Sequence, residues 1–214
     1  MIHSVRGIVL NYVKYKESSI ICKIFTDRFG LQSYIIHGAR SSKGKNKIAL
    51  YQPLSILELE VYHNSKKDIQ RISEAKTIYF YQDLKSNFTK TTLSLFITEI
   101  ISKCCTAEEE QYHLFESMMR SFIFFDQSTG KTTNIFHLYF MVLFLKENGF
   151  ISSAEQVDSN LSSSMNQLNT EELLLNAHIP NMEKRRCLEQ LVLFYKEHLS
   201  VSGFRSLEII RDLF

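Results

Sequence analysis

Proline and glycine are scarce in this chain, two and seven in 214 residues. So few breakers disfavour long disordered linkers and leave room for helix over much of the length. The four cysteines, Cys22, Cys104, Cys105 and Cys187, form no C-x-x-C pair, and adjacent Cys104 and Cys105 fall on different faces of a helix. That spacing argues against a zinc site or a disulfide framework and for buried thiols in a reducing compartment. No run is long enough to span a bilayer. The most apolar stretch, Ile135 to Leu145, has His137 inside it and reads as a buried core helix. The opening Met1-Ile2-His3-Ser4-Val5-Arg6 lacks the apolar region of a signal peptide, so a cytoplasmic location away from membranes is expected.

Catalytic signatures are missing too. The histidines show no H-x-x-x-H or H-E-x-x-H spacing, and no G-x-S-x-G occurs. Gly130-Lys131-Thr132-Thr133 resembles the end of a phosphate-binding loop, but Phe125 stands where the first glycine belongs and a helix leads in where a strand is needed. His113 and His137 sit among apolar residues as core histidines, and Glu108-Glu109-Glu110 suits the first turn of a helix. No catalytic residue, cofactor or metal is expected, and the chain is read as a non-enzyme.

What is present is charge, unevenly placed. Residues 1–82 hold 13 Lys/Arg and 6 Asp/Glu, whereas 83–214 hold 12 and 17. A basic first third and an acidic remainder predict two parts with different partners, the first of them a nucleic-acid candidate. The cations concentrate in Gly38-Ala39-Arg40-Ser41-Ser42-Lys43-Gly44-Lys45-Asn46-Lys47, which contains no anion. Arg40 can fork onto a phosphate, and Lys43, Lys45 and Lys47 act as point charges.

On either side of that loop the sequence reads as strands, with clean period-two alternation at Leu57–Tyr62. Val5–Val13, Ser19–Thr26, Leu31–His37, Leu57–Tyr62 and Ile69–Ala75 are rich in β-branched and aromatic residues, and Asp27-Arg28-Phe29-Gly30 makes the second and third a hairpin. Five strands with one longer excursion close most naturally as an OB-fold barrel, with an SH3-like barrel as the alternative. From Asp83 the period becomes helical. Leu84, Phe88, Leu95, Phe96, Ile100 and Ile101 mark one stripe. Thr106-Ala107-Glu108-Glu109 fits a capping box for a helix through Ile123, and Thr132 or Thr133 caps the next, which ends at Asn148-Gly149. Residues 151–170 are a polar Ser/Asn-rich connection. Short helices follow at 171–177, from an Asn181 cap to Leu199, and at the end through Leu213 and Phe214. The predicted architecture is α+β: a five-stranded OB barrel over 1–80 that binds nucleic acid, then an all-helical partner-binding domain over 81–214.

Cations and aromatics interleave on the barrel. Arg6, Tyr12, Lys14, Lys23, Arg28, Arg40, Lys43, Lys45 and Lys47 are the candidate DNA-binding residues. A groove that tracks phosphates with Lys/Arg and stacks bases on rings is how sequence-tolerant single-strand binding works.

The order of the pieces resembles the bacterial RecO family of recombination mediators. Arg6-Gly7-Ile8-Val9-Leu10, Tyr15-Lys16-Glu17-Ser18-Ser19 and Ile24-Phe25-Thr26-Asp27-Arg28-Phe29-Gly30 match its opening. Gly38-Ala39-Arg40, the Lys-rich loop and Leu50-Tyr51-Gln52-Pro53-Leu54 continue it in register. Tyr195-Lys196-Glu197-His198-Leu199 and Arg205-Ser206-Leu207 resemble its end. The resemblance implies a nucleoid-associated DNA-repair protein that binds single- and double-stranded DNA and anneals complementary strands. It also implies partners: RecR, and the acidic C-terminal tail of single-stranded-DNA-binding protein (SSB), in loading recombinase RecA. Lys131, Lys146, Arg185 and Arg186 are candidate rim charges for that tail, with solvated helix ends as the other reading. Many members carry a four-cysteine zinc module soon after the equivalent of Gly149-Phe150; here the Ser/Asn-rich segment stands in its place, and no zinc is expected. An adaptor for protein partners with weak DNA contact is the rival reading, and an OB-fold enzyme on nucleic acid the third.

Overall fold

A computed structural model of the chain describes residues 2–41, 45–107 and 111–213. The side chains of Lys45, Asn46 and Ser162 lie outside the described set, as do Lys43, Gly44, Glu108–Glu110 and Phe214. Two compact units result: residues up to 80 together with 105–119, and 81–104 together with 120–214.

The first unit is the OB-fold expected from the strand count. Strands β1 (Ile2–Tyr15), β2 (Ser19–Thr26), β3 (Gly30–Ile36), β4 (Ile56–Tyr62) and β5 (Ile69–Thr77) close in the order β1-β2-β3-β5-β4. Only β3 and β5 pair in parallel; the other four seams are antiparallel. β1 makes closure possible by serving two neighbours. Its first half pairs with β4 from Ile2↔Tyr62 to Ile8↔Ile56, and its second with β2 from Gly7↔Thr26 to Tyr15↔Ser19. The register shifts between Val9 and Asn11, where Val9 instead exchanges bonds with the β4 approach: its N–H donates to Ser55 O at 2.9 Å and its O accepts from Leu54 N–H at 2.8 Å. Such an irregularity bends the strand around the barrel.

Inward residues Val9, Ile20, Ile24, Tyr34, Leu57, Leu59 and Val61 form the barrel core. Gly7 sits where a Cβ would meet Ile24 Cγ2 at 2.6 Å and Leu59 Cδ1 at 2.9 Å. Gly7→Ala is therefore expected to destabilise the barrel by about 1–3 kcal/mol through overpacking. A urea midpoint unchanged from wild type would refute this.

One expectation for this unit needs correction. The basic excursion is not all loop, since Lys45–Leu50 folds as helix α1. Ile48 and Leu50 pack on the barrel core beside buried Tyr51, and that apolar spacing was hidden among the lysines. Half of the capping box expected at Thr106, Glu108 and Glu109, lies outside the described residues. Thr106 O accepts from Leu31 N–H at 2.9 Å and Ala107 O from Gln32 Nε2 at 3.2 Å, so this segment docks on β3. The helix starts only at Tyr112.

The second unit is built from α2 (Phe88–Cys104), the later part of α3 (Tyr112–Gln127), α4 (Gly130–Glu147), α5 (Ser162–Asn166), α6 (Glu171–Leu175), α7 (Asn181–His198) and α8 (Leu207–Asp212). α4 is buried nearly all round, with Phe136 stacked on Phe125 at 4.0 Å and Met141 O accepting from Tyr195 Oη at 2.9 Å. Its N-cap is Thr129, without a side-chain cap bond, while Thr132 and Thr133 are buried. Gly149 does end it in the left-handed region, at φ +72°. Pro180, not Asn181, occupies the N-cap of α7. Residues 151–170 are no loose connection. Two 3-10 turns, Ala154–Gln156 and Ser159–Leu161, precede α5, and Ala154, Leu161, Met165 and Leu168 are buried. Asn169 ties the segment down by accepting from Ala154 N–H at 2.7 Å and, through its O, from Lys146 Nζ at 3.1 Å.

Two ionisable groups make this unit acid-sensitive. Burial alone would raise Glu99, but hydrogen bonds from Lys103, Ser206 and the Arg205 N–H hold its carboxyl at about 2. Burial, and secondarily the charge of Lys184, lowers His137 to about 3. Both values lie below those of the unfolded chain, about 4.3 and about 6.5, so the unfolded chain binds more protons between them. Stability is therefore present above pH 6.5, declines through His137 as pH falls towards 3, and declines further through Glu99 between about 4.3 and 2. His137→Leu is expected to flatten the upper part of the stability profile and Glu99→Gln the lower part, as read by urea midpoints at stepped pH. Identical profiles for all three proteins would contradict both assignments.

Candidate nucleic-acid interface

The barrel's strand register decides which cations can share a surface. Residues paired across strands point to the same side of the sheet. Asn11, Lys23, Ser33 and Ile69 form one outward rung, and Val13, Ile21, Ile35 and Arg71 the next. Val13 is exposed, which identifies this as the outer face. Tyr12 and Lys14 belong to the opposite, inward set, opposite Cys22 and Ile20. Tyr12 packs against the core, so it is not a free stacking ring, and Lys14 projects at the barrel mouth as an exposed residue.

At that mouth two turns are locked together. Arg40 N–H donates to Ser18 O at 2.9 Å, and Arg40 Nη1 donates to Lys16 O at 3.2 Å. Lys16 holds a left-handed φ of +50° and places its ammonium 5.5 Å from the Tyr15 ring centroid. Lys14, Lys16 and Arg40 are exposed there, and Lys47 is exposed on α1. Lys43 and the Lys45 side chain, the middle of the predicted basic loop, lie outside the described residues.

Arg28 does not join this group. It follows the far end of β2, with its guanidinium 5.6 Å from the Phe29 ring centroid. Arg6 is committed elsewhere. Its N–H and Nε donate to the two Asp27 carboxylate oxygens, both at 3.0 Å, and its Nη1 lies 2.5 Å from Glu116 Oε1. The guanidinium also lies 5.1 Å from the Phe115 centroid and 5.3 Å from that of Tyr112. Burial works against its charge, but Asp27 and Glu116 more than compensate and raise its pKa. With two carboxylates in place, Arg6 braces β1 against the first turns of α3.

Sequence reasoning passed over Lys67, Arg71 and His63 on the β4–β5 hairpin. The Lys66-Lys67 pair is the one local signal the sequence offers there. Arg71 shows its position through register alone, opposite Tyr62, whose ring centroid is 5.8 Å from the guanidinium.

The helical unit holds a small pocket of about 260 Å³. Ile135, Ala177, Ile179 and Pro180 supply its apolar lining, and Lys131 and Lys184 its charge. Lys131 Nζ is 3.3 Å from His178 Nδ1. Burial, then the like charge of Lys131, lowers the pKa of Lys184. Of the other predicted rim cations, Lys146 is the one bound to Asn169 O. Among the described residues, no helix is long and apolar enough to cross a membrane, and no group of three or more His, Cys, Asp or Glu could hold a metal ion.

Residues 1–81 match the family model described as "Recombination protein O N terminal". Full-length similarity extends beyond that region. The chain is 30% identical to the DNA repair protein RecO of Flavobacterium psychrophilum, covering 98% of each chain. It is 29% identical to that of Flavobacterium johnsoniae, again over 98% of each. It is 27% identical to that of Phocaeicola vulgatus over 100% of both.

Proposed function

The chain belongs to the RecO family, and on that premise we propose that it is a non-enzymatic DNA repair and recombination mediator whose barrel binds DNA. The observation that carries this is the outer barrel face, where Lys23 and Arg71 lie on adjacent rungs between the Lys16–Arg40 mouth and the Arg28 turn. A strand laid across it meets cations along its path and leaves base edges free to pair. Lys14, Lys23, Arg28, Arg40 and Lys47, with Lys43 and Lys45, are the proposed phosphate contacts; Arg6 and Tyr12 support the barrel instead. Screening of strand–strand repulsion by these cations would accelerate annealing of complementary strands. The same face serves single- and double-stranded DNA, since phosphates carry most of the binding energy in either case. Action on SSB-coated DNA with RecR, leading to RecA loading at the nucleoid, is the pathway role that accompanies it.

The pocket in the helical unit suits the SSB tail. A peptide of acidic residues ending in an apolar side chain needs an apolar hole with ammonium groups beside it, and Lys131 and Lys184 flank such a hole. Lys131→Ala with Lys184→Ala is expected to weaken binding of that tail peptide at least 10-fold in fluorescence anisotropy, with DNA affinity unchanged. Unchanged peptide affinity would place the tail elsewhere.

The test of DNA binding is anisotropy of labelled single-stranded DNA across a salt series. Binding with a log–log slope of several units, at about −0.7 per phosphate neutralised, is expected. Tail-peptide affinity with no DNA binding at low salt would establish the adaptor reading instead.

A further inference from the structure

The β2–β3 turn and the β4–β5 loop meet around a column of rings. Phe29 and His63 stack in parallel, with centroids 3.9 Å apart and 3° between planes. His3 meets Phe29 edge-on at 5.3 Å, and Arg28 adds its guanidinium 5.6 Å from the Phe29 centroid. The loop that carries His63 is braced from within. Buried Gln70 accepts from Asn64 N–H at 2.8 Å and donates to Asn64 O at 2.9 Å and Lys67 O at 2.5 Å. Burial, and then neighbouring His3, lowers the pKa of His63, which favours the neutral ring.

The column borders a groove of about 800 Å³ walled in part by Ser33, Lys67 and Asp68. A neighbouring groove of about 630 Å³ shares His63 and Lys67 and adds Arg71. Among the described lining residues, Arg28, Lys67 and Arg71 outnumber one acid, Asp68. Rigid stacked rings rimmed by cations have the chemistry of a site that takes a flat aromatic group attached to an anion.

We propose that this end of the barrel is a stacking subsite for an unpaired nucleobase, which adds a layer to the Phe29–His63 column while Arg28 and Lys67 take the adjoining phosphates. It deepens the DNA-binding reading above and rests on it. The subsite is separate from the mouth: Arg40 docks at the start of β2 and Arg28 follows its end, and eight residues of strand span roughly 25 Å. A duplex keeps its bases stacked on each other and has no free base face to offer. The subsite therefore selects single strands, while the cations elsewhere bind either form.

The test uses the full-length chain with three labelled probes: a dT oligonucleotide, the same length of abasic backbone, and a duplex. His63→Ala is expected to weaken dT binding roughly 5- to 150-fold. Affinity for the abasic strand and the duplex should stay as in wild type, and the salt slope should hold because no phosphate contact is removed. Wild-type protein supplies an independent reading. Photo-crosslinking with 5-iodouracil in the dT strand should label peptides containing Phe29 or His63, located by mass spectrometry. DNA binding with a normal salt slope, but with crosslinks only elsewhere or with equal loss for all three probes in His63→Ala, overturns the subsite and leaves the DNA-binding reading standing. Absence of any DNA binding by the wild-type protein overturns both.

Discussion

Asp126→Ala is expected to unfold the helical unit at ordinary temperature or leave it close to unfolding. One carboxylate organises the entry into α2: its oxygens accept from the N–H groups of Gln82 at 2.9 Å, Asp83 at 2.9 Å and Leu84 at 2.7 Å. Lys90, 0% exposed, reaches the same corner, donating through Nζ to Asp126 O at 2.6 Å and lying 2.9 Å from Asp83 Oδ2. Removing the carboxylate leaves three N–H donors without their acceptor, while the Lys90 ammonium keeps Asp126 O and Asp83 as partners. Each buried unsatisfied group costs about 1–3 kcal/mol. Whole domains are stable by only about 5–15 kcal/mol. Asp126→Asn, which keeps one acceptor oxygen, should lose less than Asp126→Ala. Lys90→Met preserves the packed stem and should fall between wild type and Lys90→Ala. Urea unfolding followed by circular dichroism gives the order, and an Asp126→Ala midpoint within experimental error of wild type would remove this corner from the list of fold determinants.

Neutralising Lys14, Arg40 and Lys47 together is expected to weaken DNA binding roughly 10- to 100-fold at low salt, at up to about 1 kcal/mol per exposed charge pair. The more telling readout is the salt dependence. Three phosphate contacts fewer should reduce the log–log slope for single strands by about 2. The loss should be uniform across sequences, because these side chains meet phosphates and not base edges. Arg6→Met provides the contrast. Its guanidinium already faces Asp27 and Glu116, so its loss should lower barrel stability and leave the slope alone. A triple variant with wild-type slope would move the phosphate track off the mouth and onto the Lys23–Arg71 face; a reduced slope in Arg6→Met would return Arg6 to the interface.

The two variant sets separate what was legible in the sequence from what was not. Runs of β-branched and aromatic residues between turn signals located all five strands, with clean period-two alternation at Leu57–Tyr62. Ser19–Thr26 was placed to the residue. The shift to helical spacing near Asp83, the glycine stop at Gly149 and the family resemblance were likewise readable from local chemistry. Polar segments gave the poorest guidance. Residues 151–170 carry too few apolar side chains to reveal that Leu161, Met165 and Leu168 are buried, since no single element there is amphipathic over its length.

Residue type and short-range spacing were enough for the five strands, the longer helices, the basic character of the barrel and the candidate cations. Tertiary structure alone decided which of those cations are available. Strand register turns Tyr12 inward and puts Lys23 and Arg71, forty-eight positions apart in the chain, on adjacent rungs of one outer face. It also delivers Asp27 and Glu116 to Arg6, Asp126 to the start of α2, and His63 to Phe29. These are partners distant in sequence, brought together by barrel closure and helix packing, and no local pattern encodes which charge will find a carboxylate and which will be left facing water.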